Sequence, residues 1–131
     1  MRDGLQTYLE TEIIPRYRNF DKAHREDHAR SVIRQALELA RYYDVDTDLL
    51  YTAAAYLHTR RPVDRATHHL ESGKIIRADA RLRDWFTEYE IEVIAQAAED
   101  HRASAKTAPR SIYGRIIAEA DRLIDPLTII R

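Results

Sequence analysis

The side chains best suited to acid–base or metal chemistry are the histidines and one aspartate near the carboxyl end. Histidine binds first-row metal ions through a ring nitrogen and carries protons near neutral pH. The six histidines are His24, His28, His58, His68, His69 and His101. The segment "IIAEADRLI" places the Asp121 carboxylate at the edge of an apolar helical stripe. A buried aspartate needs a cationic partner or a metal ion, and Arg60, Arg61 or Arg122 is the ordinary expectation for a partner.

Two of the histidines accompany Asp121 as candidates for one metal site. His24 and His28 lie four residues apart on one face of a predicted helix. His28 borders the apolar stripe that continues at Val32, whereas His24 is expected to be half-exposed. His58 lies on the apolar side of the next helix, where a lone histidine is more often a core residue than a ligand. Because His28, His58 and Asp121 come from three helices and each lies near a core face, we predict that they approach one divalent cation.

The segment "HHLESGKIIRAD" carries two adjacent histidines at the start of another predicted helix. His69 is followed on this helix by Gly73, whose missing side chain leaves room for a close neighbour.

A basic run, "RASAKTAPR", follows His101. Arg102, Lys106 and Arg110 could bind phosphate, because the guanidinium group matches phosphate geometry. A solvated basic loop is the more ordinary interpretation of this run.

Helical periodicity dominates the segments that must position these residues. The predicted helices are Leu5–Ile14 with Pro15 disturbing or ending it, 22–43 capped by Asp21, Thr47 to about His58 capped by Asp46 or Thr47, His68–Asp79, Arg81–Phe86, Glu88 to about Arg102, and 111–124. No stretch alternates convincingly at the period of a strand, and no repeat or domain boundary is evident. We therefore predict an all-α fold, a compact helical bundle of about six or seven helices that spans residues 1–131 as one domain.

Composition excludes several classes of function. The 131 residues carry a formal net charge of −1 with 33% charged residues, so no basic field points to nucleic acid. The chain has no cysteine, which excludes disulfides and thiolate zinc sites. No apolar run approaches a membrane span, and "MRDGLQTYLE" lacks the apolar core of a signal peptide. We expect a cytoplasmic protein without a membrane partner, and the apolar ending "DPLTIIR" is consistent with a missing C-terminal element.

The histidine segments resemble the HD superfamily of metal-dependent phosphohydrolases. "DKAHREDHARSVI" resembles the first-histidine motif, with His28 as ligand, and "IIAEADRLID" resembles the final-aspartate motif, with Asp121 as ligand. "THHLESGKII" and "EDHRAS" resemble positions at which branches with a second metal carry extra histidines, here His69 and His101. This resemblance implies that His69 and His101 face the same cavity as His28. These segments are also similar to those of small uncharacterised bacterial HD proteins. The resemblance spans most of the chain and implies a bundle of the HD-domain type with a divalent ion (Mn, Fe, Mg, Ni or Zn).

The departure from the family pattern lies at "YLHTRRP", where the family has an adjacent His-Asp pair at the end of an apolar helix. In one register His58 is the family histidine and Thr59 replaces the aspartate. In an ungapped register from Tyr56 through His68, Leu57 replaces the histidine and His58 replaces the aspartate; this register keeps the "HH" pair in step with the subfamily. The pair is broken in both registers, whether naturally or through an error in the gene sequence. We therefore expect the metal to be weakly bound or absent.

The resemblance implies a role for each candidate residue. The metal ligands are His28, His58 and Asp121; the catalytic candidates are His69, His101 and Asp64; the phosphate ligands are Arg102, Arg110 and, as a weaker candidate, Lys74. His69 and His101 would assist the reaction or hold a second ion, and Asp64 would substitute for the missing carboxylate.

The expected function is that of a metal-dependent phosphohydrolase acting on a nucleotide or another small phosphate ester, impaired by the broken pair. The alternative is a catalytically inactive HD-like domain that binds a nucleotide or a protein partner. Arg60 and Arg61, at the expected mouth of the site, fit anion binding without turnover. A plain helical interaction module would explain the apolar stripes but not the histidines. The sequence leaves a homo-oligomer open.

Overall fold

The computed structural model of the chain describes residues 2–57, 68–100 and 109–124, and describes the backbone alone for residues 16–28, 68–71 and 124. The helices are α1 (Leu5–Tyr8), α2 (Arg18–Ala40), α3 (Thr47–Tyr56), α4 (His68–Ala78), α5 (Glu88–Asp100) and α6 (Ile112–Ile124). These described ranges contain no strand. The prediction of an all-α fold is confirmed.

The amino-terminal helical run changes type several times before α2 begins. After α1 the chain continues as a π-helical segment, Leu9–Ile13, and a 3-10 turn, Ile14–Tyr17. Pro15 lies in that 3-10 turn. A proline ring removes one backbone donor but keeps a helical φ, so the hydrogen-bond pattern changes here while the chain stays helical. The predicted cap at Asp21 is wrong, because α2 already begins at Arg18.

Asp46 caps α3, the central helix of the bundle. Its carboxylate accepts a 3.0 Å hydrogen bond from the backbone N–H of Asp48, which satisfies one of the free donors at the helix start. Its own N–H donates a 2.8 Å bond to the hydroxyl of Tyr113 on α6. Every residue from Asp48 to Leu57 is buried, as expected for a helix with neighbours on all sides.

The other helices surround α3. α2 packs along α3 and α6, α4 packs on α5, and α5 contacts α3 and α6. The shared core contains fully buried side chains from each layer, including Leu9, Leu50, Ile76, Ile94 and Ile117. Among the helices the structure describes, none is long and apolar enough to cross a membrane.

Candidate functional site

The carboxyl end of α3 meets the second turn of α4. Ser72 is fully buried, and its Oγ donates a 2.8 Å hydrogen bond to the carbonyl oxygen of Leu57. Carbonyls in the last turn of a helix have no partner within the helix, so this hydroxyl satisfies one of them. Leu57 itself is 1% exposed and is the last described residue before His58.

The carboxyl end of α5 meets α4 one residue further along. A Cβ built on Gly73 would lie 2.6 Å from Cγ and 2.6 Å from Cδ of Glu99, well inside van der Waals contact. The expectation that Gly73 accommodates a close neighbour is therefore confirmed, and the neighbour is the side chain of Glu99. That carboxylate is buried, with a side chain 9% exposed.

Two arginines neutralise the carboxylates at the end of α5. Arg77 Nη1 lies 2.5 Å from Glu99 Oε2, and Arg110 Nη2 lies 2.7 Å from Glu99 Oε1. The Arg110 backbone N–H also donates a 2.8 Å bond to Oδ2 of the buried Asp100. The hydrogen bonds that Arg110 donates to Asp100 and Glu99 raise the pKa of Arg110. Those that Arg77 donates to Glu92 and Glu99 raise the pKa of Arg77.

Arg77 also forms a salt bridge with a second, more exposed carboxylate, that of Glu92. It binds Glu92 with Nε and Nη2 at 3.0 and 2.8 Å, and these hydrogen bonds lower the pKa of Glu92 to about 2. Arg77 therefore joins one point on α4 to two points on α5, Glu92 and Glu99.

These contacts gather three chain segments that lead to candidate histidines. Leu57 immediately precedes His58, Asp100 immediately precedes His101, and Gly73 lies four residues after His69 on α4. Ser72, through its hydroxyl, and Gly73, through its Cα, are the contacts of α4 with the other two segments. This junction of α3, α4 and α5 is the candidate functional site.

The directions of α2, α3 and α6 bear on the remaining metal candidates. The short connection after Ala40 starts α3 beside the end of α2, so the two helices run antiparallel. Leu39 and Tyr43 line one cavity with Ile112 and Ile116, so α6 also starts beside the end of α2. Since α6 packs along α2, it too must run back towards the start of α2.

This arrangement brings three chain positions to a similar level. At about 1.5 Å per residue, α3 over its whole length and α6 from Ile112 to Asp121 each extend about 15 Å. Both helices start beside the end of α2 and run antiparallel to it. A length of about 15 Å, counted back along α2 from Ala40, ends at about Arg30, so Leu57 and Asp121 lie at that level. Arg30 is within one helical turn of His28. This common level supports the predicted approach of His28, His58 and Asp121, which stays a prediction because only Asp121 has a described side chain.

Asp121 lies at the edge of the buried face of α6. Its neighbour Ala120 is fully buried, whereas Asp121 is half-buried. Arg122, one of the arginines that the sequence offered as its partner, binds the Glu119 carboxylate one turn earlier. Arg60 and Arg61 lie outside the described residues.

The other predicted site residues fall into three groups. His58, Asp64, His101 and Arg102 lie outside the described residues, and so does Lys106. His24, His28, His68 and His69 lie on helices whose side chains are not described at those positions. Lys74 is exposed, and Arg110 has a described guanidinium that binds Glu99 and Asp100, so their phosphate roles stay predictions. Among the side chains that the structure describes, no group of three His, Cys, Asp or Glu is arranged to hold a metal ion.

Sequence reasoning missed Ser72, Glu99 and Asp100. A signal was present in "AQAAED", where the two carboxylates continue the apolar face of α5 formed by Ile94, Ala97 and Ala98. The same reasoning, applied to Asp121, had identified a carboxylate at the edge of a core face. A buried carboxylate at a helix end requires a cation, and here the cations are two arginines.

Comparison with protein families gives a match over most of the chain. A family model described as "HD domain" matches residues 25–124, which include His28, His58, His69, His101 and Asp121. Neither the curated proteins nor the solved structures contain a significant match. The family match covers well over half of the chain and agrees with the all-helical fold. The chain belongs to the HD domain family.

Proposed function

We propose that the chain carries a weakened form of the metal-dependent phosphohydrolase site of its family, with a nucleotide or another small phosphate ester as substrate. One observation carries the proposal. The family match spans every candidate ligand, yet at the end of the central helix the chain has a buried leucine and a histidine followed by threonine, where the family has an adjacent His-Asp pair.

The donor set fits a divalent cation in kind. His28, His58 and Asp121 would supply imidazole nitrogen and carboxylate oxygen, both of which suit first-row metals. The side chain of Leu57 has no atom that can bind a metal ion. Glu99 and Asp100, the described carboxylates nearest the junction, are already engaged by Arg77 and Arg110. Asp121 is therefore the one carboxylate among these three ligand candidates, and a cation would be held weakly.

When bound, the ion would polarise a phosphoryl oxygen and lower the pKa of a bound water. The chain's own residues would supply the remaining steps. An imidazole of His69 or His101, or the carboxylate of Asp64, would accept the proton of the attacking water. Arg102, with Lys74 or Arg110, would offset the phosphate charge that develops in the transition state.

Charge explains why turnover would be low. One carboxylate compensates a divalent cation less than two do, and loss of an inner ligand costs more than loss of a supporting partner, which typically weakens affinity ~10–100-fold. Arg60 and Arg61 follow the broken pair directly and add positive charge beside it.

The second candidate is an inactive HD-like domain that binds a nucleotide or a protein partner. The observation that favours it is the near-complete burial of Leu57, which places an apolar side chain at the ligand position in the ungapped register. The two arginines that follow would then bind the phosphates of a nucleotide without a metal.

Metal analysis separates these candidates. The purified chain and its Asp121→Asn variant would be equilibrated with Mn²⁺ alone, and bound metal and p-nitrophenyl phosphate turnover would be measured. The weakened enzyme predicts low but metal-dependent turnover that Asp121→Asn abolishes. Nucleotide binding with no metal-dependent turnover in either protein would support the inactive domain. Tight stoichiometric metal with full turnover would show that other residues make the centre.

A further inference from the structure

Two small residues of α4 contact both neighbouring helix ends at the candidate site. The Ser72 hydroxyl donates to the carbonyl of Leu57, and Gly73 receives the side chain of Glu99. Both small residues are buried, so each contact is made inside the packed bundle. The adjacent residues Ser72 and Gly73 therefore set the distance from α4 to α3 and the distance from α4 to α5 at the same height along α4.

The Glu99 side chain has little freedom to adapt at this contact. Each of its carboxylate oxygens is held by a guanidinium, Oε2 by Arg77 and Oε1 by Arg110. A methyl group at Gly73 would therefore have to displace either α4 or a carboxylate fixed at two points. Non-bonded carbon atoms settle at about 3.5–4.0 Å, so the 2.6 Å approach implies a shift of about 1 Å or more.

The contact at Ser72 is comparably restrictive. Its hydroxyl supplies the bond that holds the last turn of α3, and the side chain is fully enclosed. Alanine would remove this bond, and a longer side chain would find no space in a close-packed interior. Within "LESGKI", Ser72 is thus the smallest residue that can donate this hydrogen bond, and Gly73 lacks the Cβ that would overlap Glu99.

We propose that Ser72 and Gly73 are a positioning pair that fixes the spacing between α4 and the carboxyl ends of α3 and α5, at Leu57 and Glu99. His58 follows Leu57, His101 lies two residues beyond Glu99, and His69 lies one turn before Gly73 on the same helix. The pair touches none of the reacting atoms and acts through these neighbours. An effect of this pair on catalysis rests on the proposed function, but the spacing itself can be measured without an activity assay.

Electron-resonance distance measurement tests the spacing directly. The chain has no cysteine, so His69→Cys with His101→Cys creates the only two sites for nitroxide labels. Gly73→Ala in this background is expected to shift the mean label distance by about 1 Å or more, or to broaden its distribution, because the added methyl overlaps Glu99. A control pair, Tyr42→Cys with Tyr89→Cys, uses side chains 80% and 78% exposed and should be unchanged.

A compensating variant distinguishes positioning from general damage. Glu99→Asp withdraws the carboxylate by one methylene, so Gly73→Ala with Glu99→Asp should return the distance towards that of the parent. If Gly73→Ala alone does not fold, Glu99→Asp alone replaces it and should also change the 69–101 distance. An unchanged 69–101 distance in a folded variant overturns the proposal, as does an equal change in the control pair.

A separate titration with Zn²⁺ alone connects the spacing to the proposed function. With all histidines present, Gly73→Ala is expected to weaken Zn²⁺ binding about 10-fold, the loss typical of a disturbed supporting contact. Absence of Zn²⁺ binding in the parent would contradict the proposed metal site and leave the distance result as the test of the positioning pair.

Discussion

The fully buried hydroxyl of Tyr56 donates its hydrogen bond to Oδ2 of Asp79, the same oxygen that accepts the Tyr8 hydroxyl at 2.6 Å. Asp79 also caps the 3-10 turn Ala80–Asp84 through a 3.0 Å bond from the Arg81 N–H. One carboxylate therefore joins α1, α3 and the connection after α4. Burial, reinforced by the hydrogen bond to Asp79, raises the pKa of Tyr56.

The raised pKa of Tyr56 predicts that the folded protein loses stability at alkaline pH. Since the folded-state pKa of Tyr56 lies above its unfolded value, its contribution is fully present below about pH 10 and is lost as the pH rises from there towards the folded pKa. The free energy of unfolding, measured in urea between pH 8 and 11, should fall less steeply in Tyr56→Phe than in the parent. Tyr89→Phe, an exposed control, should follow the parent; equal slopes for all three would contradict the prediction.

A second prediction concerns the bond between Ser72 and Leu57. Ser72→Ala leaves the buried Leu57 carbonyl without this donor, so the free energy of unfolding should fall by about 1–3 kcal/mol. Urea denaturation monitored by circular dichroism measures the change. Ser31→Ala on α2, where the serine is half-buried, is the matched control and should stay within about 0.5 kcal/mol of the parent. A similar small effect for Ser72→Ala would show that the bond is dispensable.

Local rules predicted the helices, because apolar spacing and capping act over a few residues. Residue type and place predict Asp46 or Thr47 as the cap of α3, and the structure has Asp46. Of the two outcomes expected at Pro15, the structure has the disturbance and not the end of the helical run, because a proline removes one donor but fits a 3-10 turn. Gly73 indicated a close neighbour, but nothing local could identify Glu99, which is 26 residues away in the sequence. Contacts between distant segments depend on helix packing, and they were the part that the sequence left open.

A third prediction concerns acid. Arg2 binds Asp46 at 3.0 Å and the buried Asp48 at 2.7 Å, and its hydrogen bond lowers the pKa of Asp46. Because the folded-state pKa is depressed, this contribution is present above about pH 4 and is lost as the pH falls through the lower folded value. Arg2→Ala should lower the free energy of unfolding at pH 7 by about 2 kcal/mol, since hydrogen bonds to charged groups are lost. It should also flatten the decline between pH 5 and 2.

Arg41→Ala is the matched control for the acid prediction. Arg41 pairs with Glu38 on the surface, with side chains 72% and 59% exposed, and such pairs contribute below about 1 kcal/mol. Its variant should keep the parent's stability and its acid profile. An acid profile for Arg2→Ala as steep as that of the parent would show that Asp46 does not depend on Arg2.

The last prediction decides between the two registers at the broken pair. In the ungapped register, Leu57→His with His58→Asp restores the pair, and in the other register Thr59→Asp restores it. We expect the first variant to gain bound Mn²⁺ and p-nitrophenyl phosphate turnover, because the site then offers two carboxylates to the cation.

Without metal, the variant with Leu57→His and His58→Asp should be less stable than the parent by about 2 kcal/mol or more, since an imidazole replaces the buried Leu57. Mn²⁺ should therefore raise the melting temperature of this variant, because a ligand that binds only the folded state stabilises it. Asp121→Asn in the same background should cancel the rise. A gain in Thr59→Asp alone would establish the other register, and no gain in either variant would show that these residues do not form the family's metal site.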